Sequence, residues 1–489
     1  MKLDVKALCR IVQSWIKSDK LESAKTKERD IEKMFLDKDL VGQQEDVELF
    51  NNIGHLDNLE GRLTVWLTIN QTPRVHWEFE AARGEYNFDS LSFDPPPQRL
   101  TSWDGSDPQL VVGKPTFTFR GGQRRQSRGY AEQALYGDIN ADAHYFDFYL
   151  PNTDFLREAT GSNLAAITKA LKCKSFTVEI SNDWSIELST NQEALDWLKP
   201  EVQNRGSMIT LKICLFQTKQ PALFNISLSD ASKTLSDLCL MLSYVNGGYV
   251  KSIYAIAKKF ANVETDRIII EDVASLAEAP LIVPQEELGQ GCIGYFGMKD
   301  LLDFVKCFPS FQRMLQTPHW REKWIVLLER YFQAIPRPSG RRRNVLSPVV
   351  ANALGTLLEN LARSVLVDDD PSPAQQKKAF DDKKLASNQG YNGLGEYRID
   401  TLLQRIGISS DKNFVTKFIR IRNNATHAEP KPTNLTEIEE WEVMQKAIQW
   451  VDEVVLWRLG YEGQYRERSL YSIQGIQPRY DLSRRDSSW

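Results

Sequence analysis

Leu63-Thr64-Val65-Trp66-Leu67-Thr68-Ile69-Asn70, with Val75-His76-Trp77-Glu78-Phe79-Glu80 close behind, is the stretch whose reading decides the fold. Leu63, Val65, Leu67 and Ile69 alternate with Thr64, Trp66, Thr68 and Asn70; Val75, Trp77 and Phe79 alternate with His76, Glu78 and Glu80. Successive side chains of an extended chain point to opposite faces, so a period of two predicts strands with one face in a core. The period holds from about Val47 to Gln217. Further candidate strands are Leu110 to Phe119, His144 to Leu150, Phe176 to Ile180, Ile186 to Ser189 and Met208 to Phe216. Turn-forming runs such as Asp94-Pro95-Pro96-Pro97 and Trp103-Asp104-Gly105 separate them. Many short alternating strands predict an antiparallel sandwich or barrel.

On either side the period changes. Residues 1–40 read as a charged helical arm, with Leu8, Ile11, Val12, Trp15 and Ile16 at helical spacing. Helices return at Ser229, where Leu235, Leu238, Leu242 and Val245 mark one that stops at Asn246-Gly247-Gly248. Arg267 to Ile270 reads as one more strand. From Met298 the pattern is helical, first through Leu301, Leu302, Phe304 and Val305. Trp320 to Phe332, Ser347 to Val367, Phe414 to Ile421 and Ile438 to Leu459 follow as four longer helices. Asp368 to Gly393, with Pro371, Pro373 and Gln375-Gln376-Lys377-Lys378, has the composition of a mobile loop. The fold class expected is α+β and multidomain. A β-rich sensor or regulatory domain with a helical end spans 41–297, and an all-α bundle with a basic, aromatic tail spans 298–489.

Composition bounds the function. At 489 residues the chain is too long for one ordinary core. A net charge of -4 argues against coating nucleic acid by bulk charge, though not against a local basic groove. No apolar run approaches the ~18 residues that cross a bilayer, and Met1-Lys2-Leu3-Asp4 does not open a signal peptide. A cytoplasmic protein without a membrane partner is expected. Cys9, Cys173, Cys214, Cys239, Cys292 and Cys307 form no Cys-x-x-Cys pair, so buried free thiols are expected rather than disulfides or a zinc knuckle. His55, His76, His144 and His319 show no metal-ligand spacing, and His76 and His144 read as structural strand residues. Neither a metal nor another cofactor is expected.

The chemistry concentrates in Phe418-Ile419-Arg420-Ile421-Arg422-Asn423-Asn424-Ala425-Thr426-His427-Ala428. Arginine offers a permanent charge and a planar fork of donors suited to phosphate. Histidine exchanges a proton near pH ~6.5. Together they can cut RNA without a metal: histidine serves the ribose 2′-OH or the leaving oxygen, and arginine holds the phosphate. Residues five apart on a regular helix stand ~140° apart, so Arg422 and His427 cannot grip one phosphate from one helix. Either the motif straddles a helix start, or two copies meet.

Arg-Asn-x-x-x-His at Arg422–His427, late in a helical region, resembles the signature of HEPN-domain ribonucleases, most closely the ApeA-like anti-phage subfamily, in which a β-rich region precedes the helical domain. The resemblance implies that Arg422, His427 and Asn423 are catalytic, with two Arg-His sets meeting across a two-fold axis. It implies a homodimer or higher even oligomer. It also implies that Glu359, in Leu-Leu-Glu-Asn-Leu, faces the groove, although a solvent-facing glutamate reads equally well. Asn423 would orient His427, bond the phosphate, or simply cap a helix; Thr426 could support His427. Arg341, Arg342, Arg343 and Arg420 are candidate RNA contacts. The tail interleaves Arg466, Arg468, Arg479, Arg484 and Arg485 with Tyr461, Tyr465, Tyr471, Tyr480 and Trp489, as single-stranded RNA binding asks. Arg124, Arg125 and Arg128 offer a further basic loop.

The function expected is therefore a metal-independent endoribonuclease of abortive-infection defence, cutting tRNA or single-stranded RNA after a phage-derived trigger. The rival is a non-catalytic helical module, binding RNA or protein, fused to a β-domain that recognises a ligand or glycan.

Overall fold

The computed structural model describes residues 40–56, 59–70, 73–81, 99–102, 109–111, 126–131, 133–153, 176–180, 184–197, 207–217, 226–261, 269–278, 298–335, 348–409, 411–426, 433–463, 465 and 468. The chain divides into two compact units, Met1–Leu240 with Tyr249–Gln285, and Met241–Gly248 with Glu286–Trp489. The first is built on antiparallel sheet and the second on helices.

The quoted stretch forms β2 (Leu59–Thr68) and β3 (Arg74–Ala81), flanked by β1 (Val47–Leu56). The order continues through β4 (Arg99–Ser102), β5 (Gln109–Val111), β6 (Gln126–Ala131) and β7 (Gln133–Gly137). The neighbours run β6-β3-β2-β1-β4-β5-β7, with β6 at one end of the sheet. The alternation reads out directly: Leu63, Val65, Leu67, Val75, Trp77 and Phe79 are buried. Trp77 fits because its register partner is Gly129, where a Cβ would stand 2.9 Å from the indole. On the outer face Trp66, His76 and Tyr130 form a registered row of rings, with centroids 5.5 and 4.6 Å apart. Partial burial lowers the pKa of His76, opposed by Asp46 and reinforced by Arg74.

β7 also pairs with β15 (Ile269–Glu278), which leads through β14 (Tyr254–Ala261), β9 (Tyr145–Pro151), β12 (Ile209–Gln217) and β11 (Trp184–Ser189) to β10 (Phe176–Glu179). Two short strands, β8 (Asp142–Ala143) and β13 (Ile226–Ser227), pair separately. One face of this extension is apolar, with Phe146, Phe148, Leu150, Leu211, Ile213 and Leu215 buried. The other face is charged yet also buried. Tyr145 Oη donates to Cys214 Sγ at 2.9 Å, the thiol donates to Asp147 Oδ1 at 2.9 Å, and Lys258 Nζ donates to Asp147 Oδ2 at 2.8 Å. Burial pushes the Asp147 carboxyl up, but Lys212, Lys258 and the thiol outweigh it and hold the group below its ordinary value. Cys214, Cys239 and Cys307 are free buried thiols. The helices here are α1 (Gln192–Trp197) and α2 (Leu228–Asn246), the latter passing into the second unit at Met241.

The second unit contains α3 (Met298–Val305), α4 (Phe308–Gln316), α5 (Pro318–Ala334), α6 (Pro348–Arg363), α7 (Pro373–Asp381), α8 (Lys383–Asn388), α9 (Leu394–Arg405), α10 (Lys412–Thr426) and α11 (Glu437–Arg458). α6 is central, packing on α5, α9, α10 and α11 through Leu354, Leu357, Leu358 and Leu361. It ends in one π-helical turn, Ser364–Asp368. α11 opens with a capping box, Thr436 and Glu439 each satisfying the other's backbone N–H.

Two expectations need correction. The stretch 368–393 is not a loop: it holds α7 and α8. α7 buries no residue, so it lacks the apolar period that reveals a helix, and α8 starts where the Asp382 carboxylate accepts from the Lys384 and Leu385 amides. α9 is a further helix, Leu394–Arg405, so the helical unit holds more than the four longer helices expected. The expected arm at 1–39, the strand beyond Val111 and the loop Arg124-Arg125 lie outside the described residues.

Candidate functional site

α10 is held by Val415 and Phe418, both buried, with Phe418 edge-on to Trp450 at 6.3 Å. That anchoring turns Arg422 toward α6. The Arg422 stem lies on Gly355: a Cβ there would stand 2.6 Å from Arg422 Cγ and 3.1 Å from Nε. One turn further along α6, Glu359 meets the guanidinium, with Nη2 to Oε2 at 3.4 Å. Arg422 Nη1 reaches Asn423 Oδ1 at 3.3 Å. Nε is buried with no hydrogen-bond partner among the described residues. A matched arginine–carboxylate fork makes two contacts near ~2.8 Å. Here the contacts are single and long, and both side chains keep about a quarter of their surface exposed, 26% and 29%. Gly395, at the start of α9, closes the other side: a Cβ there would meet Ile419 Cδ1 at 3.0 Å and Glu359 Oε1 at 3.7 Å.

The neighbouring turn is polar and ordered by its own bonds. The Asn392 amide donates to Glu396 at 3.0 Å. The Tyr391 hydroxyl donates to Asp400, which also accepts from Gln404 at 2.8 Å. Burial and then Asp400 push the Tyr391 hydroxyl up to about 12. Lys412 Nζ sits over the Tyr391 ring at 4.6 Å.

The motif does not straddle a helix start. α10 runs through Arg422 and Asn423 and ends at Thr426, whose hydroxyl donates to the Asn423 carbonyl at 3.0 Å. Asn423 and Thr426 are therefore not N-caps. The reason is anchoring: Val415 and Phe418 start the helix early enough that the motif falls at its C-terminal end. Arg420, two residues from Arg422, points away by ~200° of helical turn and reaches the Thr433 carbonyl at 3.4 Å, so it does not join the site. His427, the residue after α10, and Arg341, Arg342 and Arg343 lie outside the described residues.

The tail reading is corrected at three positions. Arg468 is buried, not an exposed RNA contact: Nε donates to Asp452 at 2.6 Å, and Nη2 to Tyr331 Oη at 3.0 Å. Asp452 also accepts from the hydroxyls of Tyr244 and Tyr331 at 2.8 and 2.6 Å. Tyr461 and Tyr465 are buried as well. Of the α11 tryptophans, Trp441 and Trp450 belong to the unit's own core, whereas Trp457 is only partly buried. A buried charge needs a buried counter-charge, which no composition count reveals.

Sequence reasoning missed Gly355 and Gly395. A glycine inside the apolar helix Ala353-Leu354-Gly355-Thr356-Leu357-Leu358 is the available signal, because it weakens the helix without an evident local reason. Among the described residues, no three or more His, Cys, Asp or Glu side chains gather where they could hold a metal ion. Nor is any described helix long and apolar enough to cross a membrane. Comparison with protein-family models, with curated proteins and with solved structures found no match.

Proposed function

We propose that this chain is a metal-independent endoribonuclease of the HEPN kind, with Arg422 and His427 as its catalytic pair and Asn423 in support. The observation that carries the reading is the state of Arg422. Its guanidinium lies on a glycine with one donor unpartnered and its other contacts long, in the last turns of the helix that His427 follows in sequence. An arginine built only for structure would fill its donors with short bonds, as Arg468 does.

In the reaction, one His427 imidazole takes the proton of a ribose 2′-OH. The 2′-oxygen attacks phosphorus and the bond to the 5′-oxygen breaks. The leaving oxygen receives a proton from a second, protonated imidazole, supplied by His427 of a second copy. The products are a 2′,3′-cyclic phosphate and a 5′-hydroxyl. Arg422 stabilises the charge that builds on the phosphoryl oxygens. A two-fold dimer supplies both imidazoles, which one chain with a single motif does not. Because Trp441 and Trp450 are internal, the dimer contact does not rest on those two side chains. The β-built unit serves recognition or restraint in an antiviral response.

The test is cleavage of a labelled RNA by the wild type, His427→Ala and Arg422→Lys, with size measured at the same concentration. Loss of cleavage in both variants without loss of fold supports the reading. Full activity of Arg422→Lys would reduce Arg422 to general positive charge.

A further inference from the structure

We propose that Glu359 is an internal counter-ion, a carboxylate that occupies Arg422 at rest and must be displaced by an RNA phosphate before the site can act. The inference rests on the reading of Arg422 as the phosphate-holding group, and adds the regulation of that site.

Three observations carry it. Gly355 and Glu359 stand four apart on α6 and so share one face, where one receives the Arg422 stem and the other its charge. The carboxylate thus lies where an anionic ligand of that guanidinium would lie. The pair is loose, a single 3.4 Å contact with Nε unpartnered, so its exchange for a phosphate gives up little. On the other side of Glu359, Gly395 leaves room: even a Cβ there would stand at an ordinary contact distance of 3.7 Å from Oε1, and 29% of the Glu359 side chain is exposed. A phosphate reaching Arg422 therefore meets a carboxylate that can swing aside. The carboxylate raises the threshold for anions: weakly held phosphates fail to displace it, and an RNA anchored at several points succeeds.

The experiment measures binding rather than cleavage. The probe is a fluorescein-labelled, fully 2′-O-methylated oligoribonucleotide, which lacks the attacking hydroxyl. Binding is read by anisotropy for the wild type, Glu359→Gln, Arg422→Ala and the double variant, with circular dichroism to confirm folding. Glu359→Gln should tighten binding about three- to tenfold, as expected for removing a part-exposed competing charge. The gain should disappear in the Arg422→Ala background, because it acts through that guanidinium. Should the glutamine variant misfold, Glu359→Asp keeps the charge but shortens the reach, and should tighten binding in the same direction. Unchanged or weaker binding in the folded variants, with Arg422→Ala still defective, overturns the counter-ion and leaves the nuclease reading standing. An equal gain with and without Arg422 also overturns it, since the effect is then general charge. If Arg422→Ala binds as the wild type does, the reading of Arg422 falls, and the counter-ion with it.

Discussion

Gly355→Ala sets two opposed effects against each other. A glycine inside a helix is less favourable than alanine by ~0.5–1 kcal/mol, so the substitution at an open position would stabilise the protein by that amount. At 355 the new Cβ would lie 2.6 Å from Arg422 Cγ. Carbon atoms rest ~3.5–4.0 Å apart, so the stem must retreat by about 1 Å. Cγ sits close to the α10 backbone and cannot swing aside as the tip of a long side chain would. Overpacking of this kind costs ~1–3 kcal/mol, so after the gain in helix propensity the net loss is ~0–2.5 kcal/mol. On the proposed role of Arg422 in holding phosphate, a displacement of ~1 Å costs far more in rate, on the order of a hundredfold. Urea unfolding and RNA cleavage, measured on one preparation, should therefore part company: near-normal stability with crippled cleavage. A variant more stable by ~1 kcal/mol with unaltered cleavage would refute the cradle.

Other outcomes follow from the same structure. Lys258→Met should cost ~3 kcal/mol at neutral pH, the low end for breaking a buried pair because Lys212 remains beside Asp147. The carboxyl of Asp147 is held below its ordinary value, so its stabilising contribution is present above that value and lost as pH falls through the folded one; the gap between variant and wild type, followed by urea unfolding, should narrow in acid. Arg468→Ala should destabilise the helical unit by ~3–5 kcal/mol by leaving Asp452 without its cation, while the folded fraction binds RNA normally; selective loss of RNA binding would restore Arg468 as a contact. Burial pushes the Cys239 and Cys307 thiols up to about 12, and pushes Cys214 up as well. All three should resist iodoacetamide in the native protein, as peptide mapping would show, and rapid labelling of any of them would contradict the packing around it.

The β-built unit was legible because its code is local. Leu63 to Phe79 alternates residue by residue, and the side chains that alternate inward are the ones buried. The strand order was not legible, since it depends on pairings as distant in sequence as β7 with β15. α11 announced itself through its apolar face and the Thr436–Glu439 box. α7 failed to do so because it buries nothing. The arginines show the limit most clearly. Arg420, Arg422 and Arg468 look alike in sequence, yet one reaches a nearby carbonyl, one lies on a glycine with a donor free, and one is buried against Asp452. The difference comes from residues 63 positions before Arg422 and 16 before Arg468, too distant for any local pattern to carry.

On the proposed function, His427 cuts RNA by proton transfer while Arg422 holds the phosphate. The most direct measurement is end-group analysis of a labelled RNA incubated in chelator with the wild type and with His427→Ala. The proposed mechanism gives fragments ending in 2′,3′-cyclic phosphate and beginning with 5′-hydroxyl from the wild type, and intact RNA from a folded His427→Ala protein. Equal cleavage by both proteins, or fragments carrying 5′-phosphate, would contradict it.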